Sequence, residues 1–155
     1  NKWIKNIKIK SNYKNTINVY LEEEKPLGIY DNGNQILLFS EDLIVLEIIQ
    51  DVEKYEDLIV FYGVNAIQNS KNLLINFDKA FKSTIKLAFF IENRRWNILL
   101  KNNILLKFPQ KNIDAAIINY KKIYSNFSKK DLKNIESIDF RINQQAYIKY
   151  KVIND

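Results

Sequence analysis

The stretch "RRWNILLKNNILLKFP", Arg94 to Pro109, decides how the rest of the chain is read. It holds two apolar runs around a Lys-Asn-Asn turn, and its pattern settles the register of a hairpin. A two-residue turn at Asn102-Asn103 sets Leu100 opposite Leu105 and Ile98 opposite Lys107, which mixes apolar and charged side chains on one face. A three-residue loop, Lys101 to Asn103, pairs Leu100 with Ile104, Ile98 with Leu106 and Trp96 with Phe108. One face is then wholly apolar, and the other, with Asn97, Leu99, Lys101, Leu105 and Lys107, is mostly solvated. The three-residue loop, with Asn103 in the left-handed region, is therefore the expected one. Trp96 is expected to anchor the core.

Working outward, "STIKLAFFIE" (Ser83 to Glu92), "SIDFRI" (Ser137 to Ile142) and "AYIKYKV" (Ala146 to Val152) read as further strands. At the start of the chain, "WIKNIKIK" and "TINVYLEEE" alternate apolar and polar residues around "SNYKN", the pattern of a second hairpin. "KPLGIYDNGNQILLFSED" breaks at Pro26, gives a short strand near Leu27 to Tyr30, turns at "DNGN" and resumes at Ile36 to Phe39. A domain junction is expected near Ser40 to Leu46. Two segments change period. Ala66, Ser70, Leu73, Leu74, Phe77, Ala80 and Phe81 fall on one helical face with Asn65 or Asn69 as cap, and Ile113 to Phe127 repeats the pattern with Asn112 as cap and Asp114 in the first turn. The expected fold class is α+β, a mixed or antiparallel sheet with two helices packed on one face.

The 155 residues are 46% hydrophobic and 13% aromatic, enough to bury a real core. The absence of Cys and His removes thiol nucleophiles, disulfides, zinc fingers and every triad built on histidine. The acidic candidates, Glu22-Glu23-Glu24, Glu41-Asp42, Asp51, Glu53, Glu56 and Asp57, offer no pair held across a cleft, and no glycine motif for nucleotides is present. No enzyme and no cofactor are expected. Without Met the chain is expected to be part of a longer protein, preceded by a segment that could target or anchor it. Within it, apolar runs such as "LIVLEII" fall far short of the roughly 18 residues of a membrane span. The net charge of +6 raises one alternative, a basic nucleic-acid-binding module. Its lysines, however, are scattered singly, and Arg94, Arg95 and Arg141 are the only arginines, so a solvated surface is the preferred reading.

Taken together, these segments resemble the FtsQ/DivIB family of bacterial cell-division proteins. "WIKNIKIK" followed by "INVYLEEEKPLGIY" is similar to the end of that family's POTRA domain, and "LIVFYGVNA" to the segment entering its second domain. "NRRWNILLKNNILLKFP" resembles the Arg-Arg-Trp hairpin of its alphaproteobacterial branch, and "SIDFRI" its Val-Asp-Leu-Arg strand. The chain departs from the pattern at Tyr13, where a proline is common, at Ile142, where some members have an aromatic, and across Leu43 to Glu56. The resemblance implies residues 1–42 as the C-terminal part of a POTRA domain and 43–155 as the β domain. It also implies a non-enzymatic, bitopic inner-membrane protein of the periplasmic side of the septum, anchored by a helix upstream of this chain. Partners implied are FtsB (DivIC) with FtsL, and further division proteins through the POTRA domain. The partner would add as a strand to the final strand, and the expected contact residues are Arg94, Arg141, Ile142, Gln144, Ala146, Ile148 and Tyr150. Arg141 is expected inside a strand, between Phe140 and Ile142, where it can meet a partner carboxylate.

Overall fold

The computed structural model describes residues 1–12, 15–142 and 145–152. The first hairpin forms where alternation places it: β1 (Ile4–Asn12) pairs antiparallel with β2 (Thr16–Glu23), Ile7 opposite Leu21 and Ile9 opposite Val19. Neither strand buries anything. Ile9 is 65% exposed and Ile17 68%, so this two-stranded sheet presents an apolar face to solvent.

The other strands join one sheet. In chain order they are β3 (Pro26–Asp31), β4 (Ile36–Ser40), β5 (Val45–Ile49), β6 (Ile59–Tyr62), β7 (Ile85–Ile91), β8 (Arg95–Leu100), β9 (Leu105–Lys107), β10 (Ile135–Asp139) and β11 (Tyr147–Tyr150). Their order across the sheet is β11-β10-β9-β8-β7-β6-β3-β4-β5. The pairs β3–β6, β6–β7 and β9–β10 are parallel and the rest antiparallel, a mixed sheet as expected. The junction expected near Ser40 to Leu46 falls between β4 and β5, which pair with each other inside this sheet. The two-stranded sheet ends at Glu23 and the large sheet begins at Pro26, with Glu24 and Lys25 between them. The link is fastened there: Glu24 N–H donates to the Trp3 carbonyl at 2.9 Å, and Lys5 pairs with Asp42 at 2.7 Å.

The hairpin from Arg94 to Pro109 adopts the expected register. Ile98 faces Leu106, Leu100 N–H bonds the Ile104 carbonyl, Phe108 N–H bonds the Trp96 carbonyl, and Asn103 has φ +65°. Its apolar face lies in the main core with Phe39, Phe61, Ala88 and Ile138, beneath the helices. Trp96 is 4% exposed and meets Phe61 edge to face at 5.9 Å between ring centroids.

Both predicted helices form, each followed by a short second one. α1 (Ala66–Leu74) stops before the expected stripe ends, and α2 (Lys79–Lys82) carries Phe81 into the core. The break follows from polar side chains that compete for the backbone. The Asn76 amide donates to the Asn72 and Leu73 carbonyls, and Asp78 accepts from Phe81 N–H at 2.7 Å, ending one helix and capping the next. α3 (Ile113–Asn126) buries Ala116, Ile117 and Tyr120. Asn65 and Asn112 stand at the expected cap positions, but both are left-handed and neither side chain makes a capping bond. α4 (Lys129–Asn134) begins with a reciprocal box between Ser128 and Asp131. These helical pairs make the parallel crossovers β6 to β7 and β9 to β10. On the opposite face a crossover with a 3-10 turn at Glu53–Tyr55 covers a smaller core of Ile29, Leu38, Leu46 and Ile49, against which Trp3 also packs.

Candidate partner-binding edge

β10 runs parallel to β9, and the chain then returns antiparallel as β11, with Ile138 opposite Ile148 and Asp139 opposite Tyr147. The final strand therefore closes one margin of the sheet, and among the described residues no strand pairs with its outer side. Unpaired N–H and C=O groups in a row can template a further strand. Ala146 and Ile148 are half-buried and pack on the main core, so they hold β11 in place. Tyr147 and Tyr150 are 52% and 50% exposed and sit at its two ends. Lys149 pairs with Glu136 at 2.7 Å.

Arg141 lies at the Tyr147 end of this edge, and Arg94 and Arg95 lie at the same end of the sheet but three strands in, at the start of β8. β7 and β8 are joined through Glu92 and Asn93, both left-handed at φ +51° and +55°, which turns Arg94 and Arg95 toward Glu92. Arg94 Nε donates to Glu92 Oε2 at 2.9 Å, and Arg95 Nη1 lies 3.2 Å from the same oxygen. Arg141 Nε donates to both Asp139 oxygens, at 2.8 and 3.0 Å, and its backbone N–H bonds Oδ1 at 3.0 Å. The fields overlap. The Arg94 bond holds the Glu92 carboxyl below its ordinary range, helped by the charges of Arg95, Arg94 and Arg141. Burial works against ionised Asp139, yet the Arg141 bonds and the charges of Arg141 and Lys107 outweigh it and lower that carboxyl as well.

One expectation changes here. Arg141 lies past the end of β10, not inside a strand, because Phe140 is buried at 5% and takes the last core position. Ile148 and Ala146 face inward, so a partner would meet their backbone and not their side chains. Ile142 is 53% exposed beside Arg141, and Gln144 lies outside the described residues. Arg95 was not expected in the site, yet its Nε is buried without a partner, as is Oδ1 of Asn97 two residues on. Its position directly before the inward Trp96 was the available signal. Chemically the edge can bind a strand through main-chain bonds and a carboxylate through guanidinium forks. Its own carboxylates are already paired to arginine.

The family model of the cell division protein FtsQ/DivIB, C-terminal, matches residues 28–141. The chain belongs to the FtsQ/DivIB family. Cell division protein FtsQ of Rickettsia felis is 28% identical over 150 residues, 96% of this chain and 55% of that protein. FtsQ of Rhizobium meliloti is 26% identical over 117 residues, 74% of this chain and 38% of its own length. The chain thus spans about half the length, or less, of these FtsQ relatives. The major extracytoplasmic domain of DivIB from Geobacillus stearothermophilus matches in fold with a TM-score of 0.50 at 12% identity, covering 69% of this chain and 99% of that one. The α+β architecture is that of the DivIB extracytoplasmic domain. Among the described residues no helix is long and apolar enough to cross a membrane.

Proposed function

We propose that this chain is the extracytoplasmic, non-enzymatic part of an FtsQ protein that recruits FtsB, paired with FtsL, by accepting a strand of FtsB along β11. One observation supports the reading: among the described residues no strand pairs with the outer side of β11, and Arg141 stands at one end of it, with Arg94 and Arg95 farther in at the same end of the sheet. Main-chain bonds along β11 supply affinity. The arginines select an acidic partner, whose carboxylate exchanges with Glu92 and Asp139. In the same reading β1 and β2 are the closing strands of a POTRA domain, the rest of which would cover the apolar face of Ile7, Ile9, Ile17, Val19 and Leu21. A membrane helix upstream would hold the protein at the periplasmic side of the septum, where the POTRA domain meets further division proteins.

Calorimetry of the chain against a C-terminal FtsB peptide from the same organism tests this. Tyr150→Ala is expected to cost on the order of 2 kcal/mol of binding, since an exposed aromatic at an interface excludes water at low entropic cost. Arg141→Glu is expected to cost more than Arg141→Ala, because it adds repulsion to a lost charge-assisted bond. A charge exchange on the peptide should recover part of the loss. Normal binding by folded Arg141→Glu and Tyr150→Ala proteins would exclude strand addition at β11.

A further inference from the structure

Carboxylates collect around Pro26, where the two-stranded sheet meets the large one. Two clefts, of about 630 and 650 Å³, adjoin at that residue. The first lies beside the hairpin and is lined by Glu22, Glu23, Glu24 and Glu41 with Trp3. The second follows the crossover and is lined by Glu53, Glu56 and Asp57 with Lys54. None of these carboxylates enters an ion pair among the described residues.

Glu24 is only 6% exposed, yet its carboxylate has no bonded partner among the described residues, and it opens into the first cleft. A carboxylate withdrawn from water without a bond of its own costs stability, and a cation brought to it offsets that cost. The cations at hand do not supply it. Lys5 lines the cleft but is committed to Asp42 at 2.7 Å, whose bond holds the ammonium above its ordinary pKa, with smaller help from the charges of Glu22 and Glu24. Lys25 is exposed and in no ion pair, and Lys54 lies over the Tyr55 ring. Lys71, Lys79 and Lys82 stand in the next groove, past Glu41 and Asp57, and pair with neither.

The surroundings select the class of cation. No three carboxylates among the described residues stand close enough together to hold a metal ion. Trp3 brings an indole into the first cleft, and a guanidinium stacks on an aromatic face while it forks to a carboxylate. Two acidic clefts joined at one residue suit cations spaced along a single extended chain. The protein as a whole carries a net charge of +6, so a basic ligand is repelled from most of its surface and steered to this belt.

We propose that the two clefts form one docking groove for an extended, arginine-bearing segment of a partner protein, with one guanidinium seated in the cleft that Glu24 and Trp3 share. The groove lies on the β3–β5 side of the sheet and β11 closes the other margin, so the proposal stands independently of strand addition.

Fluorescence anisotropy of a labelled oligo-arginine peptide titrated with the chain tests it, with an oligo-lysine peptide of the same length beside it. The arginine peptide is expected to bind ahead of the lysine peptide, and more weakly as salt rises. Glu24→Gln keeps the shape of the side chain, so it should not lower the melting temperature while raising the arginine-peptide dissociation constant at least about tenfold. Trp3→Phe keeps a ring against the smaller core and should narrow the preference for arginine over lysine. Asp114→Asn removes a carboxylate from the helical face and should leave peptide binding unchanged. Binding of an FtsB peptide should be unchanged by Glu24→Gln. Absence of arginine-peptide binding, equal affinity for the two peptides, indifference to Glu24→Gln, or an equal loss from Asp114→Asn would each overturn the proposal. So would full competition by calcium at matched ionic strength, which would give the clefts to a metal, or loss of FtsB-peptide binding by Glu24→Gln, which would give them to that partner.

Discussion

The two hairpins, β1–β2 and β7–β8, are written in the same alternating pattern and end in opposite environments. Ile9 is 65% exposed, and Ile98, equally placed in its strand, is fully buried. Alternation specifies which residues share a face and which strands can pair. Burial requires a second layer, and only the sheet with helical crossovers carries its own.

The largest effect should separate the two hairpins. Ile98→Ala is expected to cost about 3 kcal/mol of stability, a buried truncation with little room to collapse, whereas Ile9→Ala should stay within about 0.5 kcal/mol. Equal losses in urea unfolding would show that the first hairpin carries a hidden layer. Next comes the entry to the helical layer. Gly63 has φ +105°, and a Cβ there would stand 2.3 Å from the Phe90 carbonyl oxygen, so Gly63→Ala should cost about 2 kcal/mol or more. Gly33, at φ +86° with nothing within 4 Å, shares the strain without the collision, and its alanine variant should lose about 1 kcal/mol. Ser128→Ala removes one half of the box that starts α4 and should cost about 1 kcal/mol, read as a lower melting temperature.

The smallest expected effect is in pH. The folded Asp139 carboxyl is held below its unfolded value, so its contribution to stability is complete above the unfolded pKa near 4 and is lost as pH falls through the lower folded value. Asp139→Asn should flatten that part of the acid-unfolding curve. Asp42, lowered chiefly by its bond to Lys5, has the same sign, but it is exposed and its effect should vanish in salt.

Much of the large sheet could be read in advance because each decision had a local cause. A face must be uniform to be buried, and that alone fixed the loop at Lys101 to Asn103. What escaped depended on competition or on distance. The break between α1 and α2 depends on Asn76 and Asp78, whose side chains bond the backbone in place of a continued helix. α4 was missed although Ser128 and Asp131 have capping-box spacing, since an exposed six-residue helix has no apolar stripe to announce it. The continuity of the sheet across residue 42 rests on β3 pairing with β6, an association no local pattern encodes. For the candidate site, the final strand, Arg94 and Arg141 were legible, and Arg95 was not. Nor was the placement of all three at one end of the sheet, because the turn at Glu92 and Asn93 and the extra core position of Phe140 decide it.

The β3–β6 pairing also bears on the order of assembly. β3 to β5 form a meander that can close as soon as it leaves the ribosome, but one margin of β3 stays open until residues 59–62 arrive, and β6 then needs β7 beside it. Parallel partners far apart in sequence must close a loop before any contact rewards them, which slows that step. The nascent chain therefore passes through a stage with an unfilled strand position in the middle of its future sheet, where a stray strand from another molecule could enter. The crossover from residue 50 to 58 is tethered at the meander and delivers β6 to that vacancy, which makes correct closure an intramolecular race against aggregation.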